Sequence, residues 1–128
     1  MKDEFMLCGE CKSVLQKLPG EVLYVADAGK GLETLQAGVV EASKEKHIPV
    51  VHVNDSQVIV EVGSVAHPMV SEHYILWIML RTDKGFMYRI LTPGEPAAAV
   101  FDIQPDEKPL RAYEMCNVHG LWKKEIQD

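Results

Sequence analysis

At 128 residues, with 47% apolar and 25% charged residues, the chain has the length and composition of one ordinary globular domain, with room for a small appendage. Its formal net charge of −6 argues against nucleic acid, whose binding rests on neutralising phosphates with Lys and Arg. The acidic start Met1-Lys2-Asp3-Glu4 lacks the apolar run of a signal peptide, and the longest apolar run, residues 74–80, is far too short to span a bilayer, so a cytoplasmic protein with no membrane partner is expected.

Residues 1–20 hold Cys8-Gly9-Glu10-Cys11, a tight turn, and end at Pro19-Gly20. Residues 21–26 (EVLYVA) read as a short strand. Residues 29–43 are ambiguous: Leu32, Leu35, Val39 and Val40 have helical spacing, but Gly29, Gly31 and Gly38 weaken a helix. From Ile48 onward the pattern is of strands. Residues 48–54 form one, Asn54-Asp55-Ser56 is a turn signal, and residues 57–62 follow with Val58, Val60 and Val62 on one face, which predicts a hairpin. Residues 72–81 are apolar on both faces, as a central strand requires. Asp83-Lys84-Gly85 turns into a strand over 86–91, Pro93-Gly94 closes it, and residues 97–103 and 110–115 complete the set. Short strands at regular spacing predict an all-β sandwich.

The three cysteines are Cys8, Cys11 and Cys116. So few, and odd in number, they do not read as a disulfide framework; metal ligation or redox chemistry fits better. Cys116-Asn117-Val118-His119 places a thiolate and an imidazole on one turn. His67 and His73 bracket a loop stiffened by Pro68, which fixes its own φ and restricts His67. His47 sits before Ile48-Pro49 at the entry to the first sandwich strand. A lone histidine is usually a surface or hydrogen-bonded residue, and His52, inside a strand, fits that reading. The other four stand at element boundaries on three loops, with one cysteine. Imidazoles suit zinc, copper and iron, and a thiolate adds soft donation. Structural zinc closes with four ligands, whereas five fit a square-pyramidal iron with one open position.

Four stretches resemble one family: Glu45-Lys46-His47-Ile48-Pro49-Val50; Val62-Gly63-Ser64-Val65-Ala66-His67-Pro68-Met69; Glu72-His73-Tyr74-Ile75 with Trp77; and Cys116-Asn117-Val118-His119-Gly120-Leu121-Trp122-Lys123. In order and spacing they resemble the superoxide reductases, the neelaredoxins and desulfoferrodoxins. The resemblance implies an immunoglobulin-like sandwich over residues 41–128 that reduces superoxide by one electron to hydrogen peroxide. It also implies one non-haem iron per chain, cycling between Fe2+ and Fe3+. His47, His67, His73 and His119 would be its equatorial ligands and Cys116 its axial thiolate. A thiolate trans to an open position pushes electron density toward a bound oxygen species. Lys46 would draw superoxide to that position and Glu45 would occupy it once the iron is ferric. Read without the family, Glu45 and Lys46 are a solvated charge pair.

The resemblance further implies a rubredoxin-like electron donor and a homodimer or higher homo-oligomer. Residues 1–40 resemble the small desulforedoxin-like first domain of desulfoferrodoxins, which binds a second iron through two cysteine pairs. Cys8 and Cys11 match the first pair, but the second falls near residues 25–29, which read Val-Ala-Asp-Ala-Gly. Two cysteines cannot supply a tetrathiolate within one chain; the expectation is a lost centre and a vestigial dithiol. Leu76 and Met79 stand where the family often has glutamates, giving either a subunit contact or fuller burial within the chain. The competing readings are a metal-binding electron carrier of blue-copper type, which wants two histidines, a cysteine and an axial methionine, and a noncatalytic immunoglobulin-like module with structural zinc.

Overall fold

Alternation dictates the first hairpin. Val58, Val60 and Val62 are at most 1% exposed, and they lie on one face of β5 (Gln57–Val62), antiparallel to β4 (Pro49–Asn54). Asn54 pairs with Gln57, leaving Asp55 and Ser56 as a two-residue turn. Asp55 takes a φ of 53°, the left-handed conformation that hairpin turns need to match strand twist. β8 (Ala98–Asp102) pairs with the other edge of β5, and the sheet order is β4-β5-β8. A second antiparallel sheet has the order β10-β9-β6-β7, built from β6 (Ile75–Thr82), β7 (Phe86–Ile90), β9 (Pro109–Cys116) and β10 (Gly120–Glu125). The inner faces meet in one core: Val58, Val60, Val62, Ala99 and Phe101 from the first sheet, and Ile75, Ile78, Leu80, Ala112 and Cys116 from the second. Fully burying each large aliphatic side chain of this kind contributes about 1.5–3 kcal/mol. Among the described residues, the sandwich's seven strands split three and four, with β5 crossing to β8 and β6 to β9. This is the all-β sandwich that the strand pattern predicts, in the immunoglobulin-like form that the family resemblance implies.

The structure is a computed structural model and describes residues 2–20, 31–39 and 47–126. The chain divides into two compact units, Met1–Gln36 and Ala37–Asp128. The described residues of the first form a three-stranded antiparallel sheet in the order β2-β1-β3, from β1 (Glu4–Cys8), β2 (Val14–Lys17) and β3 (Leu32–Leu35). β3 corrects the helical option for this stretch. Gly31 takes a φ of 77°, and the residues that follow pair with β1, Phe5 opposite Leu35. The strand expected over residues 21–26, and the positions 25–29 of the missing cysteine pair, lie outside the described residues. The central strand expected from residue 72 begins at Ile75. Met79 is fully buried and Leu76 half-buried, so Met79 follows the fuller-burial option. Among the described residues, no helix is long and apolar enough to cross a membrane.

Candidate metal centre

The sandwich brings three loops to one end. His47 immediately precedes β4, His67 and His73 lie in the β5–β6 connection, and Cys116 closes β9 with His119 in the turn to β10. His47, His67 and Cys116 are buried, His73 is half-buried and His119 is exposed. The cluster therefore opens to solvent on the His119 side and is closed beneath by the core.

Donor atoms converge. His47 Nε2 lies 3.0 Å from His119 Nδ1. Cys116 Sγ lies 3.7 Å from His67 Nε2 and 3.9 Å from His119 Nδ1. The ring of His73 is 4.7 Å from that of His67 and 5.1 Å from that of His119. One ligand atom from each of His47, His67, His73 and Cys116 falls within 4.8 Å of the others. Metal–imidazole and metal–thiolate bonds of about 2.1 and 2.3 Å put donors on one ion up to about 4.4 Å apart, and about 3.0 Å apart when two nitrogens meet at a right angle. The cluster thus fits a single ion after a contraction of a few tenths of an ångström. The tautomer of His67 agrees: its Nδ1 is 2.8 Å from the Pro68 carbonyl, which can only accept, so Nδ1 carries the proton and Nε2 presents a lone pair to the cluster. The His119 backbone N–H donates to Cys116 Sγ at 3.4 Å.

Two residues that sequence reasoning passed over hold these loops together. Asn117 ties the Cys116–His119 turn to the His73 strand entry. Its Oδ1 accepts the Tyr74 N–H at 2.9 Å, its Nδ2 donates to the Glu72 carbonyl at 3.1 Å, and its own N–H donates to the Tyr74 carbonyl at 3.2 Å. Trp122 stacks on His47, with ring centroids 4.8 Å apart and planes 15° apart, and donates its indole N–H to the His119 carbonyl at 3.1 Å. Both lie inside sequence motifs whose recognisable signal is the ligands themselves. Gly38 makes the indole's place: a Cβ there would stand 2.7 Å from Trp122 Cε3. The backbone around it is fixed, since Gly38 N–H donates to Leu121 O and Lys123 N–H donates to Gly38 O. Gly38→Ala is therefore expected to destabilise the sandwich by about 1–3 kcal/mol, as overpacking does. A lower urea midpoint with an unchanged m-value would register it.

The remaining candidates separate cleanly. His52 is exposed on β4, 3.9 Å from Glu61, as a surface histidine should be. Cys8 and Cys11 belong to the other compact unit. Glu45 and Lys46 lie outside the described residues.

A β-sandwich carrying four imidazoles and a thiolate at one end has the make-up of a mononuclear metal protein. Comparison with known proteins narrows this. The desulfoferrodoxin family model matches residues 39–125. A desulfoferrodoxin of Syntrophotalea carbinolica is 38% identical over 124 residues, 97% of each chain. A superoxide reductase of Pyrococcus horikoshii is 33% identical across 74% of this chain and 96% of its own. The crystal structure of the superoxide reductase from Treponema pallidum superposes with a TM-score of 0.81 at 37% identity, covering 97% of this chain and 98% of that one. The chain belongs to the desulfoferrodoxin family.

Proposed function

We propose that the chain is a superoxide reductase, converting superoxide to hydrogen peroxide with one electron and two protons at a single iron. The observation that carries this is the convergence of His47, His67, His73, His119 and Cys116 at one end of the sandwich, in a chain whose relatives include named superoxide reductases. Those five residues are the proposed ligands, and when bound the iron supplies the electron by cycling between Fe2+ and Fe3+. Each residue then has a physical task. Cys116, buried and hydrogen-bonded by the His119 N–H, is the electron-rich donor that favours release of reduced oxygen as peroxide. His67, held by the Pro68 carbonyl, keeps its lone pair aimed inward. Trp122 and Asn117 fix His47, His119 and His73 relative to one another, so little reorganisation accompanies binding.

Lys46 is the proposed substrate-attracting cation, next to His47 in a chain of net charge −6; local positive potential can draw an anion despite the opposing total. Glu45 is the proposed carboxylate that takes the substrate's place after oxidation. A rubredoxin-like donor, a homodimeric or higher assembly, and a cytoplasmic location complete the proposal. The donor and the assembly rest on the family, the location on a composition with few cysteines. A blue-copper carrier is disfavoured by the fourth histidine. It is also disfavoured by Met69, the methionine of the ligand loop, whose sulfur already accepts the Ile75 N–H at 3.3 Å.

Metal analysis with a visible spectrum tests the reading: a coloured iron protein is expected, and copper or colourless zinc would sink it. The iron content should be close to one per chain, since Cys8 and Cys11 alone cannot complete a tetrathiolate. Two irons per chain would show that the N-terminal centre survives.

A further inference from the structure

The Cys8–Cys11 turn is the one chemically distinctive motif that superoxide reduction leaves unused. It is a built turn. Cys8 N–H donates to Ser13 O at 2.9 Å, Lys12 N–H donates to Cys8 O at 2.9 Å, and Gly9 N–H donates to Gly31 O at 3.0 Å, anchoring the turn to the start of β3. Lys12 sits at a φ of 63°, a conformation costing a non-glycine residue about 1–2 kcal/mol, so these hydrogen bonds hold a specific shape. Within that shape the two sulfurs differ. Cys11 is exposed and Cys8 half-buried, and both are free thiols. The Cys11 backbone N–H donates to Cys8 Sγ at 3.3 Å. The hydrogen bond from the Cys8 side chain, with further ones from the side chain and backbone of Ser13, pulls the Cys11 thiol down to about 7. A thiol that ionises near ambient pH is close to the optimum for attack, balancing thiolate fraction against nucleophilicity.

We propose that Cys8 and Cys11 form a peroxide-reactive dithiol in which Cys11 attacks and Cys8 resolves. The Cys11 thiolate attacks one oxygen of hydrogen peroxide and the O–O bond breaks. The leaving hydroxide takes up a proton and departs as water, and Cys11 becomes a sulfenic acid. The Cys8 sulfur then attacks the Cys11 sulfur, the S–O bond breaks, and the sulfenic oxygen leaves with a proton as a second water. Two thiols are oxidised to one disulfide while one peroxide is reduced to two waters. An external dithiol reopens the bond by thiol–disulfide exchange. The oxidant is the product of the activity proposed above, so the chain would carry a sensor or scavenger of its own product; the chemistry itself needs only peroxide from any source.

The experiment uses the full iron-loaded chain, reduced with dithiothreitol, desalted, exposed to added hydrogen peroxide, alkylated and digested with trypsin. Lys2 and Lys12 bracket both cysteines in one peptide, residues 3–12. That peptide is expected to become lighter by two hydrogens and to lose both alkylation sites, and dithiothreitol should restore them. In Cys8→Ser, dimedone should trap a sulfenic acid on Cys11; in Cys11→Ser, residue 8 should give no such adduct. A peptide that keeps both alkylatable thiols through excess peroxide overturns the proposal, and so does an adduct confined to Cys8. Because peroxide is supplied directly, the readout stands whether or not the chain reduces superoxide. The Cys8→Ala, Cys11→Ala double variant should retain full iron and full superoxide reduction; a large loss of either would overturn the separation of the two chemistries.

Discussion

Cys116→Ser is expected to abolish the visible absorption of the ferric protein and to lower superoxide turnover by more than about 100-fold. The absorption should arise from charge transfer between thiolate and iron, and a serine hydroxyl offers no comparable orbital. Loss of a ligand exceeds loss of its support, and replacing partners that merely orient metal ligands already costs about 10–100-fold. Misfolding must be separated from ligand loss, because Cys116 is fully buried in the sandwich core. A buried hydroxyl without a good partner costs about 1–3 kcal/mol. The His119 N–H, which donates to the sulfur at 3.4 Å, remains available to the serine oxygen and limits that cost. The variant should therefore unfold only slightly earlier than the wild type while losing colour entirely. A serine variant that keeps the ferric absorption would remove Cys116 from the ligand set.

Much of the sandwich was legible because its strands obey period two or are apolar throughout. Val58, Val60 and Val62 announced a buried face, and residues 74–80 announced a strand with neighbours on both sides. What escaped did so for physical reasons. β10 was missed because Gly120–Glu125 begins as a ligand motif and ends in Lys123-Lys124-Glu125. Its identity as a strand comes from pairing with β9, Leu121 opposite Met115 and Lys123 opposite Tyr113, which no local pattern reveals. The helical option around Leu32 fails because tertiary pairing with β1 overrides a weak spacing signal. At the metal centre, donor types and loop positions could be read from sequence, but the supports could not. Trp122 stands in the sequence only as part of a ligand motif until His47 is found stacked on it, and Gly38 looks like a defect until the indole is found against it. Asn117 is legible only as a spacer between Cys116 and His119, whereas in the fold it joins two ligand loops through three hydrogen bonds.

Lys46→Ala is expected to leave the iron content intact and to slow the encounter with superoxide by about tenfold at low ionic strength. Local fields of this kind change association rates by about 10–1000-fold, and one lysine warrants the lower end. The argument rests on position and sign. Lys46 directly precedes His47, a proposed ligand, and the chain as a whole carries −6, so the superoxide anion approaches against the total charge unless a nearby cation reverses the local potential. Screening gives a second, independent signature. The Debye length is about 10 Å at 0.1 M salt and about 3 Å at 1 M, so the wild-type rate should fall as salt is added, and the variant, having lost the local attraction, should respond much less. Glu45→Ala makes the contrast. As a group acting after oxidation, it should leave the encounter rate largely unchanged and alter the ferric spectrum instead. Pulse radiolysis across a salt series, with iron content and ferric spectra measured on the same samples, separates the two residues. If Lys46→Ala reacts as fast as the wild type at low salt, the lysine is a solvated surface charge and the attraction must come from elsewhere in the chain.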